Sequence, residues 1–201
     1  MNPLNTTNPI SFDPASTALV LIDLQHSNVA RELAPHSAQQ VVDNSVQLAV
    51  AMRQRGGTVV YVRVLIGELL HLPADVAVAR PASAPPLPDN ATELVPEAGV
   101  QQGDIVIAKR QWGAFQGTDL EQQLRRRGIT TLIFTGIATN FGIESTARAA
   151  TDLGYAVIFA EDAMSSLRTD LHEFSIKNIF PFMGKVRSTA DLISSLAADK
   201  Q

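Results

Sequence analysis

The sequence predicts an α/β fold in which helices cover both faces of a mostly parallel sheet, a three-layer α/β/α sandwich of the doubly wound, Rossmann-like kind. Two observations lead to this fold class. Short apolar runs alternate with amphipathic segments along the 201 residues, and the runs are apolar at consecutive positions instead of at every second one. Consecutive apolar residues are typical of parallel strands that are buried on both faces.

The length of the chain allows one substantial hydrophobic core and is short for two domains. We therefore predict a single domain over residues 1–201. The first residues are mainly polar, and we expect residues 1–14 to form an N-terminal tail outside the core.

The first part of the chain predicts a strand, a helix and a second strand. Residues 18–22 are apolar throughout and are followed by Asp23. Apolar residues then recur at helical spacing, and Gly56 and Gly57 mark the end of that helix. Thr58–Val64 is rich in β-branched residues, which favour a strand. The apolar positions of the predicted helix are Val41, Val42, Val46, Ala49 and Val50.

The rest of the chain continues the alternation. A third strand over 105–108 ends at Lys109, and a capping box from Thr118 to Glu121 opens a helix that runs to Gly128. The remaining predicted elements are a strand over 131–135, a helix over 143–153 that ends before Gly154, a strand over 156–160, a helix capped by Thr169 and Asp170, and a strand over 185–188.

Residues 67–103 form one long irregular stretch that is rich in proline. A long loop in a compact domain is often a lid or an oligomer contact. A passive excursion explains the composition equally well, so both interpretations stay open at this point.

Composition and charge exclude several classes of function. The formal net charge is -4 without a large basic block, which disfavours nucleic-acid binding because phosphate contacts need clustered lysine and arginine. The chain has no cysteine, which excludes disulfides, thiolate metal sites and a cysteine nucleophile. No apolar run is long enough to cross a bilayer and no secretory signal is evident, so we expect a cytoplasmic protein without a membrane partner.

Groups that can carry chemistry follow three of the predicted strands. Asp23 ends the first strand, Lys109 ends the third, and the turn 135–142 leads from the fourth into a helix. In a parallel α/β sheet the ligand crevice lies beyond the carboxyl ends of the strands, so these groups are expected at one edge. A carboxylate that faces an ammonium there has a coupled pKa suited to acid–base chemistry. Each feature also has an ordinary structural interpretation, as a loop anchor, a solvated lysine and a tight turn.

The helix that begins near Gly142 offers N–H groups without intrahelical partners and the positive end of its dipole. An oxyanion or a carboxylate substrate fits such a position. A glycine there leaves room for a ligand against the backbone, although close packing alone would also require one.

Four segments of the chain resemble the isochorismatase-like hydrolase family. They are the apolar run with Asp-Leu-Gln over 18–25, the lysine segment 109–120, the Thr-Gly-Ile-Ala-Thr-Asn-Phe-Gly turn with its helix over 135–148, and Ala-Glu-Asp-Ala over 160–163. The resemblance spans about residues 15–196, with the segments in order at the predicted strand ends. It implies the three-layer fold, a cis peptide bond between Ile137 and Ala138, and a homodimer or tetramer that uses the 67–103 stretch.

The amide hydrolases of that family use an Asp–Lys–Cys triad. The resemblance places Asp23 and Lys109 at the first two positions and Gly142 at the cysteine position, so the nucleophile position has no side chain. Ser145, further along the helix, is a weak substitute. True isochorismatases also lack the cysteine and protonate a vinyl ether with the aspartic acid, so they resemble this chain better.

Residues 63–68 lack the Asp-x-His metal motif of nicotinamidases, and we expect no metal and no cofactor.

The substrate-binding candidates surround these residues. Gln25 belongs to the first motif, Ala138 and Thr139 offer backbone groups in the turn, and Arg110 and Trp112 can hold an anionic or planar substrate. Solvated or structural roles stay open for the side chains.

The leading functional hypothesis is a hydrolase that acts on a small, anionic metabolite through non-covalent acid–base catalysis by Asp23 and Lys109. Two alternatives stay open. One is an inactive family member that binds a metabolite or a partner, and the other is an amide hydrolase that activates water without a cysteine.

Overall fold

The computed structural model describes residues 10–70, 72–76 and 86–198. Six parallel strands form one sheet in the order β3-β2-β1-β4-β5-β6. The strands are β1 (Thr17–Ile22), β2 (Thr58–Val64), β3 (Ile105–Lys109), β4 (Thr131–Ile137), β5 (Ala156–Ser165) and β6 (Lys185–Arg187).

Within the described ranges, α-helices follow every strand except β2. They are α1 (His26–Val29), α2 (Ala38–Gln54), α3 (Leu120–Arg125), α4 (Glu144–Asp152), α5 (Thr169–Phe174), α6 (Phe180–Met183) and α7 (Thr189–Ala198). Short 3₁₀ helices cover Pro14–Ser16, Ile66–Glu68 and Pro96–Ala98, and π-helical turns cover Thr139–Ile143 and Ser175–Ile179. None of these helices combines the length and the apolar character that spanning a bilayer requires.

The sheet separates two hydrophobic clusters, one on each face. The β1 residues Ala18, Val20 and Ile22 pack in the cluster that includes residues of α3, α4 and α6. Leu19 and Leu21 pack in the other cluster, with residues of α2 and α7. All six β1 residues are buried because β1 lies between β2 and β4 and is covered on both faces. The structure thus confirms the predicted three-layer sandwich, with β1 as an inner strand of the sheet.

Two residues of the predicted N-terminal tail pack in the core. Ile10 and Phe12 fall inside the tail, yet both are buried and belong to the cluster that contains α2. Residues 1–9 lie outside the described residues. Two apolar side chains among polar neighbours gave too weak a pattern to predict this packing.

The first predicted helix is confirmed as α2. Gly56 follows α2 with φ +73°, the left-handed conformation expected after a helix end. Val50, however, is 41% exposed, and Leu48 and Met52 complete the buried face instead.

The capping box predicted from Thr118 to Glu121 is not formed. The helix begins at Leu120, and Asp119 is its N-cap residue without a side-chain cap. The Thr118 hydroxyl donates to the Ala114 carbonyl and accepts from the Leu120 N–H, so it ties the preceding turn to the helix. Glu121 pairs with Arg125 instead, and the helix ends at Arg125, three residues before the predicted end.

The fifth strand extends five residues beyond the predicted end at residue 160. The predicted end leaves Glu161 and Asp162 outside the strand, but the strand continues to Ser165. Its pairing with β4 shifts register between Phe134 and Gly136. This irregularity accommodates the polar residues within β5, and the strand pairs with β4 again beyond them.

The described parts of the 67–103 stretch pack against the end of β1. Val95 N–H donates to the Leu24 carbonyl, and Leu94 forms an isolated β-bridge with Gln25. The stretch therefore contributes a wall beside Asp23, and residues 71 and 77–85 of it lie outside the described residues.

Candidate active site

Asp23 and Lys109 form a buried ion pair at the carboxyl edge of the sheet. Asp23 directly follows β1 and Lys109 is the last residue of β3, on the other side of β2. Lys109 Nζ lies 2.8 Å from Asp23 Oδ2, and the two side chains are only 1% and 8% exposed. The interpretation of Lys109 as a solvated lysine is therefore wrong, because the ammonium is directed into the protein.

The backbone of Asp23 turns the carboxyl group toward this edge. Asp23 has φ +54°, a left-handed conformation that costs a non-glycine residue about 1–3 kcal/mol. Its N–H donates to the Val62 carbonyl at 2.8 Å, and its carbonyl accepts from the Asn28 side chain at 3.1 Å. These bonds on both sides of the residue hold the turn in place.

Burial dominates the electrostatics of the pair. It raises the pKa of Asp23 from 3.8 to about 6, although the nearby Lys109 ammonium acts in the opposite direction. Lys109 Nζ also donates to the Trp112 carbonyl at 2.7 Å. Asp23 Oδ1 is buried and has no hydrogen-bond partner among the described residues. This oxygen is the atom of the pair whose hydrogen-bonding capacity no described residue uses.

The turn after β4 lies against the same pair. A glycine is required at 136, because a Cβ there would lie 2.0 Å from the Ile22 carbonyl oxygen. The Ile137–Ala138 peptide bond is cis, as the family resemblance implied. The π-helical turn Thr139–Ile143 follows and continues directly into α4.

Gly142 lies directly against the Asp23–Lys109 pair. A Cβ built there would lie 3.1 Å from both Asp23 Oδ2 and Lys109 Nζ, and 3.0 Å from Ile22 Cγ2. Contacts this short require a small shift of the neighbours. The nucleophile position is thus filled from two sides by the carboxylate and the ammonium.

Ser145 does not replace the missing side chain at Gly142. Its hydroxyl lies against Gly113, where an added Cβ would be 3.1 Å from Ser145 Oγ. The described hydrogen bonds of the Lys109 ammonium go to Asp23 and to the Trp112 carbonyl, not to Ser145.

Gln25 lies two residues after Asp23, and other groups of the protein form hydrogen bonds with its side-chain amide. The oxygen accepts from the Val64 N–H at 2.8 Å, and the nitrogen donates to the carbonyls of Val64 and Ala91 and to Ser27 Oγ. Gln25 is completely buried. Its amide joins the ends of β1 and β2 to the 86–94 segment, which positions Asp23 two residues earlier.

Trp112 and Arg110 lie at the surface beside Lys109. Trp112 is 53% exposed and packs edge to face on Phe141, with ring centroids 5.1 Å apart. The Arg110 guanidinium pairs with Glu68, and about half of each side chain is exposed. Both side chains are thus exposed at the end of β3.

Thr139 directs its side chain toward a histidine that sequence reasoning had not connected with the site. Thr139 Oγ1 forms a hydrogen bond of 2.8 Å with His172 Nδ1, and both residues are buried. Burial, followed by the charge of His36, lowers the pKa of His172 to about 4. His172 is therefore neutral at physiological pH. Since 33 residues separate it from Thr139, no local motif could have revealed the contact.

Comparisons with known proteins point to one family. A family model described as an isochorismatase domain matches residues 17–191. The uncharacterized isochorismatase family protein YecD of Escherichia coli O157:H7 is 42% identical over 191 residues, which cover 93% of this chain and 100% of that protein. A ureidoacrylate amidohydrolase of Methylobacterium radiotolerans is 32% identical over 216 residues, covering 94% of this chain and 82% of that protein.

A solved structure leads to the same family. An isochorismatase family protein from Burkholderia thailandensis has a TM-score of 0.86 and 41% sequence identity, and the match covers 95% of this chain and 100% of that one. The match to the family model includes β1, the lysine at the end of β3 and the turn that leads into α4. The chain belongs to the isochorismatase family of hydrolases.

Proposed function

We propose that this protein hydrolyses a small, anionic metabolite without a covalent intermediate, with Asp23 as the proton-transferring group and Lys109 as its electrostatic partner. One observation carries the proposal. Asp23 Oδ2 is held by Lys109, while Asp23 Oδ1 is buried without a described hydrogen-bond partner, so one oxygen is anchored and the other has an unused acceptor position. A carboxyl group arranged in this way can exchange a proton with a bound substrate.

Hydrolysis of a vinyl ether is the leading reaction. Asp23, in its protonated form, transfers its proton to the terminal carbon of the substrate's double bond, and the adjacent carbon becomes an oxocarbenium ion. Water adds to that carbon and returns a proton to the Asp23 carboxylate. The resulting hemiketal then breaks its carbon–oxygen bond to give a carbonyl compound and an alcohol. A pKa of about 6 leaves part of Asp23 protonated near neutrality, which this chemistry needs.

The surrounding residues have supporting roles in this proposal. The Lys109 ammonium stabilises the carboxylate that forms when Asp23 releases its proton. Gln25 positions the Asp23 turn, and we do not assign it a direct contact with substrate because protein groups engage its amide. Arg110 and Trp112 provide a cation and an aromatic face for an anionic, planar substrate at the rim.

The turn before α4 contributes backbone groups. The Ala138 carbonyl accepts from the N–H groups of Phe141 and Ile143, so the N–H is the polar backbone group that Ala138 offers a ligand. Gly142 has no side chain, and the space beside its Cα is bordered by Asp23 Oδ2 and Lys109 Nζ. We infer that a carboxylate or a developing oxyanion is bound here.

Amide hydrolysis is the second candidate, and the similarity to a ureidoacrylate amidohydrolase favours it. In this reaction the Asp23 carboxylate would take a proton from water, which attacks the carbonyl carbon directly. The proton would then pass from Asp23 to the departing nitrogen. No thiol is required, which is consistent with glycine at position 142.

A substrate panel tests the proposed function. Wild-type protein is incubated with small anionic vinyl ethers and with small amides and ureides, and the products are measured by mass spectrometry. We expect turnover of at least one class, and a vinyl ether if the leading reaction is correct. Tight binding of a panel member without turnover of any would contradict both reactions and favour an inactive, ligand-binding member of the family.

A further inference from the structure

Three side chains that the proposed reaction does not use lie together next to the turn at Thr139. They are His36, just before α2, Glu161 in β5, and His172 in α5. One ligand-type atom from each lies within 4.8 Å of those of the other two. His36 Nε2 is 3.6 Å from Glu161 Oε2, and the two imidazole rings meet edge to face with centroids 5.5 Å apart.

The two imidazoles are oriented by hydrogen bonds at one ring nitrogen each. His172 Nδ1 is engaged by Thr139 Oγ1 at 2.8 Å, which leaves Nε2 for a further ligand. His36 Nδ1 faces the side-chain amide of Gln40 at 3.1 Å, while His36 Nε2 faces Glu161. A histidine that binds a metal is usually held in this way through its other ring nitrogen.

The charges of the cluster favour a cation. Glu161 and Asp162 are consecutive carboxylates in β5. Asp162 Oδ1 accepts hydrogen bonds from the N–H and the hydroxyl of Thr189, so its role is to anchor the start of α7. Glu161 has only His36 as its described ion-pair partner, and that side chain is neutral unless it is protonated.

We propose that His36, Glu161 and His172 bind a divalent transition-metal ion of the zinc class. Two imidazole nitrogens and one carboxylate oxygen are a common ligand set for zinc, with a water molecule as the fourth ligand. The ion would link β5 and α5 to the segment before α2 and, through Thr139, to the turn that enters α4.

The side chains need to move only modestly to bring the three ligand atoms to zinc-binding distance. Ligand distances of about 2.0–2.2 Å in a tetrahedron place the ligand atoms roughly 3.4 Å apart. The three atoms must therefore approach one another by roughly an ångström. His172 is held by Thr139, but the side chains of His36 and Glu161 are 20% and 38% exposed and can adjust.

Sequence spacing could not have revealed this cluster. The three residues come from separate segments, and none of them belongs to a paired ligand motif. We expect no metal from the sequence because residues 63–68 lack the Asp-x-His motif and because the histidines show no ligand-like pairing along the chain, whereas this cluster forms only in the fold.

Zinc binding to the chelator-treated protein tests the proposal. Wild-type protein is titrated with zinc chloride in a calorimeter, and cobalt(II) is used in parallel as a spectroscopic probe of nitrogen ligation. We expect one equivalent to bind wild type and His26→Gln, a control that removes a histidine outside the cluster. Glu161→Gln and His172→Asn should each weaken binding by at least about 100-fold, and Thr139→Val by about 10- to 100-fold.

The variants also separate loss of the site from loss of the fold. His172 is only 2% exposed, so His172→Asn can disturb packing, whereas Glu161 is partly exposed and Glu161→Gln keeps its shape. Circular dichroism checks folding, and zinc should raise the Tm of wild type and His26→Gln but not of Glu161→Gln. Absence of zinc uptake by wild type at micromolar concentrations, or equal affinity and stoichiometry in Glu161→Gln, would overturn the proposal.

Discussion

Lys109 Nζ and Asp23 Oδ2 lie 2.8 Å apart, in a place where the two side chains are 1% and 8% exposed. Removing both charges from water costs several kcal/mol, so a buried pair is a poor way to stabilise a fold. The unpartnered Asp23 Oδ1 adds to that cost. A pair that adds little stability and leaves one buried carboxylate oxygen without a described partner fits the proposed acid–base chemistry better than a structural role.

A double-mutant cycle on this pair tests that interpretation through stability alone. At pH 8 we expect Asp23→Asn and Lys109→Met each to lower the free energy of unfolding by about 3 kcal/mol, because each leaves one buried charge unpaired. The double variant should be about as stable as wild type. Urea denaturation measures all four proteins, and additive losses in the double variant would contradict the expected coupling.

The same cycle has an expected pH dependence. Burial raises the pKa of Asp23 above its unfolded value, so the folded state binds the additional proton between about pH 4 and pH 6. Stability contributed by this group is therefore present at low pH and falls as the pH rises through that window. In Lys109→Met the pKa of Asp23 should rise further, so the cost of this substitution should be smaller at pH 5 than at pH 8. A cost that is constant with pH would contradict the assignment of the raised pKa to Asp23.

The pH dependence of kcat/KM distinguishes the two proposed reactions. If Asp23 acts as an acid on a vinyl ether, kcat/KM should be constant below about pH 6 and fall about tenfold per pH unit above it. If Asp23 acts as a base in amide hydrolysis, kcat/KM should rise with pH up to about pH 6 and then level off. Asp43→Asn, an exposed change on α2, should leave the profile unchanged. A profile without an ionisation near pH 6 would exclude Asp23 from both roles.

Restoring a thiol tests whether the scaffold still supports a nucleophile. In Gly142→Cys the new Cβ lies 3.1 Å from Lys109 Nζ and Asp23 Oδ2, so the end of the lysine must shift slightly. The ammonium and the start of the helix should lower the pKa of the thiol. We expect it to react with iodoacetamide at pH 7 roughly ten times faster than Ser145→Cys, the matched control one turn further along. Because wild type has no cysteine, the background is zero, and equal rates for the two variants would contradict this expectation.

Much of this site could be predicted because strand topology determines it. Residues 18–22 and 105–108 are recognisable strands, and parallel strands bring their carboxyl ends to one edge, so Asp23 and Lys109 had to lie near each other. The family resemblance added the cis bond at Ile137–Ala138, which the structure contains.

The features that were missed depend on tertiary contacts. The Gln25 amide is engaged by Val64 and by Ala91, which lies 66 residues away, and no local pattern reports this. The end of β5 was placed too early because Glu161 and Asp162 look like loop residues until the register shift beside β4 is known. The His36–His172 contact joins distant segments and was missed for the same reason.

Mass spectrometry of the enzyme during turnover tests the absence of a covalent intermediate. The Gly142 position has no side chain, and Ser145 lies against Gly113, so we expect the intact mass of acid-quenched protein to equal that of the resting protein. The substrate that turns over in the panel is used in excess. An adduct that maps to Ser145 or Asp23 would show a covalent route.

The turnover rate of Asp23→Asn tests the central claim most directly. Asparagine keeps the size of the side chain but cannot take up or release a proton at the pH of the assay, so kcat should fall by about 10²- to 10⁴-fold. Asp43→Asn makes the same change on the exposed surface and should retain the wild-type rate, with circular dichroism confirming that both variants fold. A rate for Asp23→Asn that equals that of wild type would contradict the assignment of Asp23 as the proton-transferring group.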